Sequence, residues 1–151
     1  MQKITTFLMF NDQAKQAVDL YLSVFEHAKL VDTMPGPDGE PAGFTFELDG
    51  QEFGAYNGGP HFFFAEGMSL MVRCETQEEV DRLWETLSNG GEQQACGWLK
   101  DRFGVSWQIV PVVLTELLRD EDREKAGRVM DAMLRMGKLE IAGLEAAAEG
   151  R

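Results

Sequence analysis

The same order of secondary structure elements is predicted twice along this chain: a strand, then a helix, then several strands. The apolar runs 4–10 and 69–74 are each typical of a buried strand. Each run is followed by a helical stripe of apolar residues, and Val18 and Val80 occupy matching places in the two predicted helices. Repetition of this kind indicates two copies of one supersecondary unit.

In the first copy, Asn11 or Asp12 is predicted to cap the helix, because their side-chain oxygens accept hydrogen bonds from the first free amides. Residues 30–34 are predicted as a short strand. A hairpin is predicted around Asp49-Gly50, since both central positions of a type I′ turn need positive φ.

In the second copy, Thr76 and Glu79 form a capping-box pattern at the start of the helix. The glycine pair at 90–91 is predicted to end that helix. Residues 94–99 and 105–110 are predicted as strands on either side of a turn.

The chain changes character after Pro111. Residues 114–118 predict a short helix, Asp122 is predicted to cap a longer one, and 139–148 predict a third. We expect these helices to form an appendage packed on the sheet or on a partner subunit.

A length of 151 residues suits one domain. We therefore expect a single domain composed of a first module at 1–62, a second module at 63–111 and a C-terminal helical extension at 112–151.

Charge and composition exclude several classes of protein. The chain has 14 Lys and Arg against 26 Asp and Glu, a net charge of −12, which disfavours nucleic-acid and anionic membrane partners. Its two cysteines, Cys74 and Cys96, are too few for a disulfide scaffold. Residues 1–10 lack the features of a signal peptide and no apolar run is long enough to cross a bilayer, so we expect a cytoplasmic protein.

Several motifs resemble one branch of a known superfamily. They are Ser69 to Cys74, Gln77 to Trp84, Gly90-Gly91, Cys96-Gly97-Trp98-Leu99-Lys100-Asp101-Arg102-Phe103-Gly104, Ser106 to Pro111, Arg128 to Leu134 and Lys138-Leu139. Together they are similar to the PhnB-like branch of the vicinal-oxygen-chelate superfamily, which includes glyoxalases, bleomycin-resistance proteins and dioxygenases. Proteins of this branch often carry the label 3-demethylubiquinone-9 3-methyltransferase.

The resemblance implies an α+β fold in which two βαβββ modules form a cupped mixed sheet, with extra C-terminal helices in this chain. It also implies a homodimer, because bleomycin-resistance proteins bind their ligand in a cleft shared by two subunits.

Superfamily enzymes bind a divalent metal through His and Glu on the inner face of the cup. Carried over by position, these ligands fall at Thr5, Ser69 and Gln108, none of which is a strong metal ligand. The remaining candidate set is His61 with Glu66 or Gln108. We therefore expect no cofactor, with a divalent metal as the alternative, and the sequence assigns no catalytic residue.

Neither of two other chemistries has a supporting motif. The chain contains no Gly-x-Gly-x-x-Gly loop of the kind that methyltransferases with a Rossmann-like sheet use. Cys74 and Cys96 are interpreted as structural cysteines, because neither lies in a nucleophile pattern.

The remaining feature is the cup, counted along alternate strand residues. Its inner face is predicted to carry Thr5, Phe7, Met9, Ser69, Met71, Arg73, Ser106 and Gln108, and its walls Phe53, Tyr56 and Trp98. A mostly apolar hollow with a few polar groups is typical of small-molecule sites, and an inward Arg73 would favour an anionic or carbonyl-bearing ligand. The alternative is that these residues fill a small barrel-like core.

Three functions follow, in order of preference. The first is a small-molecule binding protein that uses no metal. The second is a metal-dependent lyase, isomerase or dioxygenase, which stoichiometric metal would support. The third is a methyltransferase, which binding of S-adenosylmethionine would support.

Overall fold

The computed structural model describes residues 1–151. Its elements in chain order are β1 (Thr6–Phe10), α1 (Ala14–Val24), β2 (Ala28–Pro35), β3 (Pro41–Leu48), β4 (Gln51–Asn57), β5 (Leu70–Cys74), α2 (Gln77–Ser88), β6 (Glu92–Gln93), β7 (Trp98–Lys100), β8 (Ser106–Pro111), α3 (Val112–Leu118), α4 (Arg123–Leu134) and α5 (Ile141–Ala148). The predicted α+β class and the duplicated βαβββ order are confirmed.

Each copy forms its own four-stranded sheet, and the two sheets have the same topology. The strand orders are β1-β4-β3-β2 and β5-β8-β7-β6. The first strand pairs in parallel with the last strand of its copy, and the other pairs are antiparallel. The chain divides into two compact units, residues 1–64 and 65–151. The extension α3–α5 is part of the second.

In the first unit, α1 covers one face of the sheet with aromatic packing. The rings of Phe46 and Phe53 stack with centroids 5.5 Å apart, and Tyr21 of α1 lies 6.3 Å from Phe46. Leu8 and Ala55 are buried on the same face. Burial of each large side chain contributes about 1.5–3 kcal/mol, so this face is the core of the unit.

The predicted cap of α1 is wrong. Neither Asn11 nor Asp12 caps the helix, because Gln13 is the N-cap residue and makes no side-chain hydrogen bond. The Oδ1 atom of Asn57, at the end of β4, accepts a 2.8 Å hydrogen bond from the Ala14 amide instead. A residue distant in sequence therefore accepts the hydrogen bond of a free amide at the start of the helix.

Three other local predictions are confirmed. Asp49 and Gly50 have φ of 49° and 79°, as the hairpin turn requires. The Thr76 hydroxyl caps α2 by accepting from the Glu79 amide at 3.2 Å, although Oε1 of Glu79 accepts from the amide of Glu75 and not from that of Thr76. Asp122 caps α4 by accepting from the backbone amides of Glu124 and Lys125. In each case the signal and its partner lie within a few residues.

The strand predicted at 94–99 is wrong. Cys96 and Gly97 have φ of 61° and 83°, so the chain reverses there and leaves only the short strands β6 and β7. The Cys96 amide donates to the Met136 carbonyl at 2.8 Å and the Gly97 amide to the Gly137 carbonyl at 2.9 Å. The turn is therefore held by the C-terminal extension.

The extension has its own apolar core. Its buried members are Val110, Leu114, Val129, Leu139, Leu144 and Ala148. Because Val110 belongs to β8, the three helices pack on the end of the second sheet. None of the five helices combines the length and the apolar composition that a membrane span requires.

Candidate functional site

The first sheet has an open face opposite the one that α1 covers. Residues on β1 that alternate with the buried Leu8 belong to this face, and Phe7 is 58% exposed there. Strand register places Phe7 beside Gly54 and Met9 beside Tyr56. A large aromatic side chain is thus left uncovered on β1, an edge strand of the sheet.

Two glycines let aromatic rings lie directly against the backbone of this face. A Cβ atom at Gly54 would be 2.5 Å from the Phe7 ring, and one at Gly43 would be 2.8 Å from the Tyr56 ring. Real Cβ atoms are not found so close, so both positions require the absence of a side chain. The glycines create the space in which the rings form the floor of a hollow.

The walls of this hollow come from β2 and β3. Its lining includes Phe7, Asp32, Met34, Thr45 and Tyr56, and Met34 is 62% exposed. The surface is mainly apolar, and the carboxylate of Asp32, the hydroxyl of Thr45 and the phenol of Tyr56 add polar groups. This composition suits a small molecule with an apolar body and a few polar groups.

Of the residues predicted in the first module, Phe7 and Tyr56 line the hollow. Met9 is half-buried, with its terminal methyl against Gly58. Thr5 precedes β1 and is half-buried. Phe53 lies on the opposite face, stacked on Phe46 in the core. Because Phe53 pairs with Phe46 in the hairpin, it shares the face of that residue.

The lining residues that sequence reasoning missed include Asp32, Met34 and Thr45. The segment around Asp32 and Met34 is predicted only as a short strand without an assigned face. Their alternate spacing was the available signal. What decides their position is pairing, since Asp32 lies opposite Thr45 and Met34 opposite Gly43.

The second sheet also has an open face, opposite α2. The predicted residues Met71, Gln108 and Trp98 form one row across β5, β8 and β7. The Gln108 amide Nε2 donates to the Ser69 hydroxyl at 2.9 Å. Arg73 is exposed two residues beyond Met71. The predicted residues of the second module are therefore brought together on one face of this unit.

A polar cluster lies next to this row. Ser106 is 3% exposed, and its hydroxyl has no hydrogen-bond partner. Lys100 is directly opposite on β7, and its Nζ lies 2.6 Å from Oε1 of Glu66. The hydrogen bond from Lys100 holds the pKa of the Glu66 carboxyl below its ordinary value, and the same bond raises the pKa of Lys100.

These residues do not fit the divalent metal that the superfamily resemblance implies. Ser69 and Gln108 are hydrogen-bonded to each other and offer only a hydroxyl and an amide, and Thr5 offers a hydroxyl. In the alternative ligand set, His61 with Glu66 or Gln108, the Glu66 carboxylate is paired with Lys100. No group of three or more His, Cys, Asp or Glu side chains comes together to hold a metal ion.

The cysteines do not form a nucleophilic site. Cys74 is fully buried, and burial raises the pKa of its thiol to about 12, with the Glu79 carboxylate adding to the increase. A buried thiol remains protonated and is a poor nucleophile. Cys96 is half-buried in the turn held by the extension.

Comparison with known proteins places the chain among characterised folds. The family model described as 3-demethylubiquinone-9 3-methyltransferase matches residues 2–110, which ends before α3 begins. The PhnB protein from Bacillus cereus is 36% identical, with 74% of this chain and 100% of that chain covered and a TM-score of 0.69. No curated protein matches the sequence.

Two more distant solved structures show the fold alone. A protein from Pseudomonas aeruginosa is 20% identical, with 74% of this chain and 98% of that chain covered and a TM-score of 0.62. The fosfomycin resistance protein FosX from Listeria monocytogenes, complexed with Mn(II) and sulfate, is 16% identical. That match covers 72% of this chain and 92% of that chain, with a TM-score of 0.52.

Proposed function

Because the chain belongs to the PhnB-like family of the glyoxalase/bleomycin-resistance superfamily, we propose that it binds a small molecule on its open sheet faces without a metal ion. The observation that carries this proposal is the hollow in the first unit, where Phe7 and Met34 are each more than half exposed. Exposed apolar surface gathered in a concave site favours association with an apolar group.

The lining of the hollow suggests the kind of ligand. The rings of Phe7 and Tyr56 offer flat apolar surface, and Met34 offers an adaptable thioether. Asp32 and Thr45 also line the hollow, so a hydrogen-bond donor on the ligand would have acceptors there. A small, mainly aromatic or aliphatic molecule with one or two donors fits these groups.

We propose no metal because the oxygen atoms at the positions carried over from the superfamily are weak metal ligands. Hydroxyl and amide oxygens are weak ligands for transition metals, and Thr5, Ser69 and Gln108 provide nothing else. The methyltransferase activity in the family description has no supporting motif in this chain, because no Gly-x-Gly-x-x-Gly loop precedes α1 or α2. Homodimer formation and a cytoplasmic location stay predictions.

A metal analysis and a ligand screen test the proposal together. Purified full-length protein is dialysed against nickel, manganese, iron and zinc, and its metal content is measured by elemental mass spectrometry. We expect no retained metal, whereas about one tightly held metal per chain would overturn the metal-free proposal.

The ligand screen measures the shift in melting temperature with a panel of small uncharged aromatic compounds and with S-adenosylmethionine. We expect Phe7→Ala to abolish the shift given by any aromatic compound that binds. Leu134→Ala is the matched control, because Leu134 on α4 is 57% exposed and lies outside the hollow. Equal loss in both variants, or a shift only with S-adenosylmethionine, would contradict the proposal.

A further inference from the structure

We propose that the open face of the second sheet binds the anionic group of a small molecule at Lys100 and Ser106, and that the Glu66 carboxylate occupies this position until the ligand displaces it. This inference rests on the proposed function, since it names the ligand class and a control of binding on the open faces. It adds a specific polar site at Lys100 and Ser106, and it names Glu66 as a group of the same chain that competes with the ligand.

The unpartnered hydroxyl of Ser106 is the first observation. Ser106 is almost completely buried, on the same face as Gln108 and directly opposite Lys100. A buried polar group without a hydrogen bond is destabilising, and such groups are rare in native proteins, so each one calls for a specific explanation. An acceptor brought to Lys100 would lie beside a hydroxyl that has its donor available.

The surroundings of Ser106 suit an organic anion. Met71 is exposed and Trp98 half-exposed in the neighbouring row, so apolar surface lies next to the polar cluster. Further along this face, Arg73 on β5 lies opposite Val110 and adds an exposed guanidinium that takes part in none of the ion pairs of the structure. Two cations and an aromatic ring therefore lie on one face of this sheet, although the net charge of the chain is −12.

Glu66 already presents a carboxylate to Lys100, at 2.6 Å. The pair is accessible to water, with the two side chains 32% and 59% exposed, and exposed ion pairs are weak. A ligand carboxylate offers the same chemistry and can also accept from Ser106. Glu66 therefore lowers the affinity for anions by competition.

Glu92 weakens the attraction of Lys100 for an anionic ligand. It lies opposite Lys100 on β6, and its charge also raises the pKa of Lys100. With a second carboxylate nearby, the charge of Lys100 alone would hold an anion weakly. The hydroxyl of Ser106 must therefore contribute to binding, which makes it the residue to test.

Benzoate and its uncharged analogue benzamide are the probes, and isothermal titration of the full-length protein is the measurement. We expect benzoate to bind more tightly than benzamide. Glu66→Gln should tighten benzoate binding by about two- to fivefold, the gain expected when a weak competing ion pair is removed, and should leave benzamide binding unchanged. Ser106→Ala should weaken benzoate binding by about tenfold, the loss expected for a hydrogen bond to a charged group.

Asp19→Asn is the matched control for Glu66→Gln. Asp19 forms an exposed pair with Lys15 at 2.8 Å in the first unit, so this change frees a lysine elsewhere in the chain. We expect it to leave both affinities unchanged. An equal gain for benzoate in both variants would show a general charge effect and overturn the site.

Further outcomes separate this inference from the proposed function. Equal binding of benzoate and benzamide in every variant would overturn the anion site and leave the proposed function standing. If benzoate does not bind even to Glu66→Gln, the anion site is overturned. The proposed function still stands in that case, because the panel of uncharged aromatic compounds tests the hollow of the first unit independently. Ser106→Ala should also melt no lower than the wild type, and a clear drop without ligand would show a structural partner for the hydroxyl and contradict the inference.

Discussion

The indole Nε1 of Trp107 donates a 2.9 Å hydrogen bond to Oδ2 of Asp101, a carboxylate that is only 2% exposed. The other oxygen of Asp101 accepts from the amides of Phe103 and Val105, at 2.9 and 3.0 Å. Three donors thus satisfy one buried side chain, and their bonds fix the turn that leads from Lys100 into β8.

Asp101→Ala should destabilise the protein strongly, because it leaves the Trp107 indole and two turn amides without their acceptor. We expect the free energy of unfolding to fall by about 2–4 kcal/mol. Urea denaturation followed by tryptophan fluorescence measures it. Asp19→Ala serves as an exposed control that should change stability by less than about 0.5 kcal/mol, and a similar small effect of Asp101→Ala would contradict the role given to this carboxylate.

Gly54→Ala should displace the Phe7 ring, because the new Cβ would lie 2.5 Å from it. We expect loss of binding for compounds that occupy the hollow and a stability cost of about 1–3 kcal/mol from overpacking. Ligand titration and the aromatic NMR signals of Phe7 report the two effects. Gly67→Ala is the control, since nothing lies within 4 Å of its Cβ position. Unchanged Phe7 signals in Gly54→Ala would show that the ring does not lie against this glycine.

Cys74 should resist alkylation by iodoacetamide at pH 8 while the protein is folded. Its pKa is raised by burial from an ordinary 9.0 to about 12, so the reactive thiolate is scarce. The folded-state value exceeds the unfolded one, so this thiol contributes stability that is fully present below pH 9 and is lost as pH rises from 9 towards 12. Mass spectrometry of Cys96→Ser measures the labelling of Cys74 alone. Rapid labelling without denaturant would contradict the burial.

Gln77→Ala should loosen the start of α5. The Gln77 side chain donates to the Leu139 carbonyl at 3.0 Å and accepts from the Ile141 amide at 2.7 Å, so it ties α2 to the extension. We expect faster hydrogen exchange at the Ile141 amide and a stability loss of about 1–3 kcal/mol. Gln16→Ala, at an exposed position of α1, is the control. Unchanged exchange at Ile141 would show that the extension is held by its apolar core alone.

The sequence predicts the fold well where a signal and its partner are neighbours. The hairpin at Asp49-Gly50 and the caps at Thr76 and Asp122 each depend on residues within one turn of chain. The cap of α1 by Asn57 depends on a residue 43 positions away in sequence, which strand pairing brings beside the start of the helix. No local pattern contains that information.

The candidate site could be predicted only in part, and one error was avoidable. Phe53 and Tyr56 are three residues apart on one strand, so they point to opposite faces. Hairpin register then assigns Phe53 to the core with Phe46. The contributions of Asp32 and Met34 depend on which strand pairs with β3, and this becomes known only from the structure.

The amides of Cys96 and Gly97 depend on the carbonyls of Met136 and Gly137, and this dependence has a consequence for biosynthesis. Chains emerge from the ribosome N-terminus first, and domains generally fold in that order. The strands of the first sheet pair only with one another, so they have all their partners early in translation. The turn at 94–97 must wait until the extension has been synthesised. Until then, the edge of the second sheet that β6 and β7 form lacks the two hydrogen bonds to Met136 and Gly137.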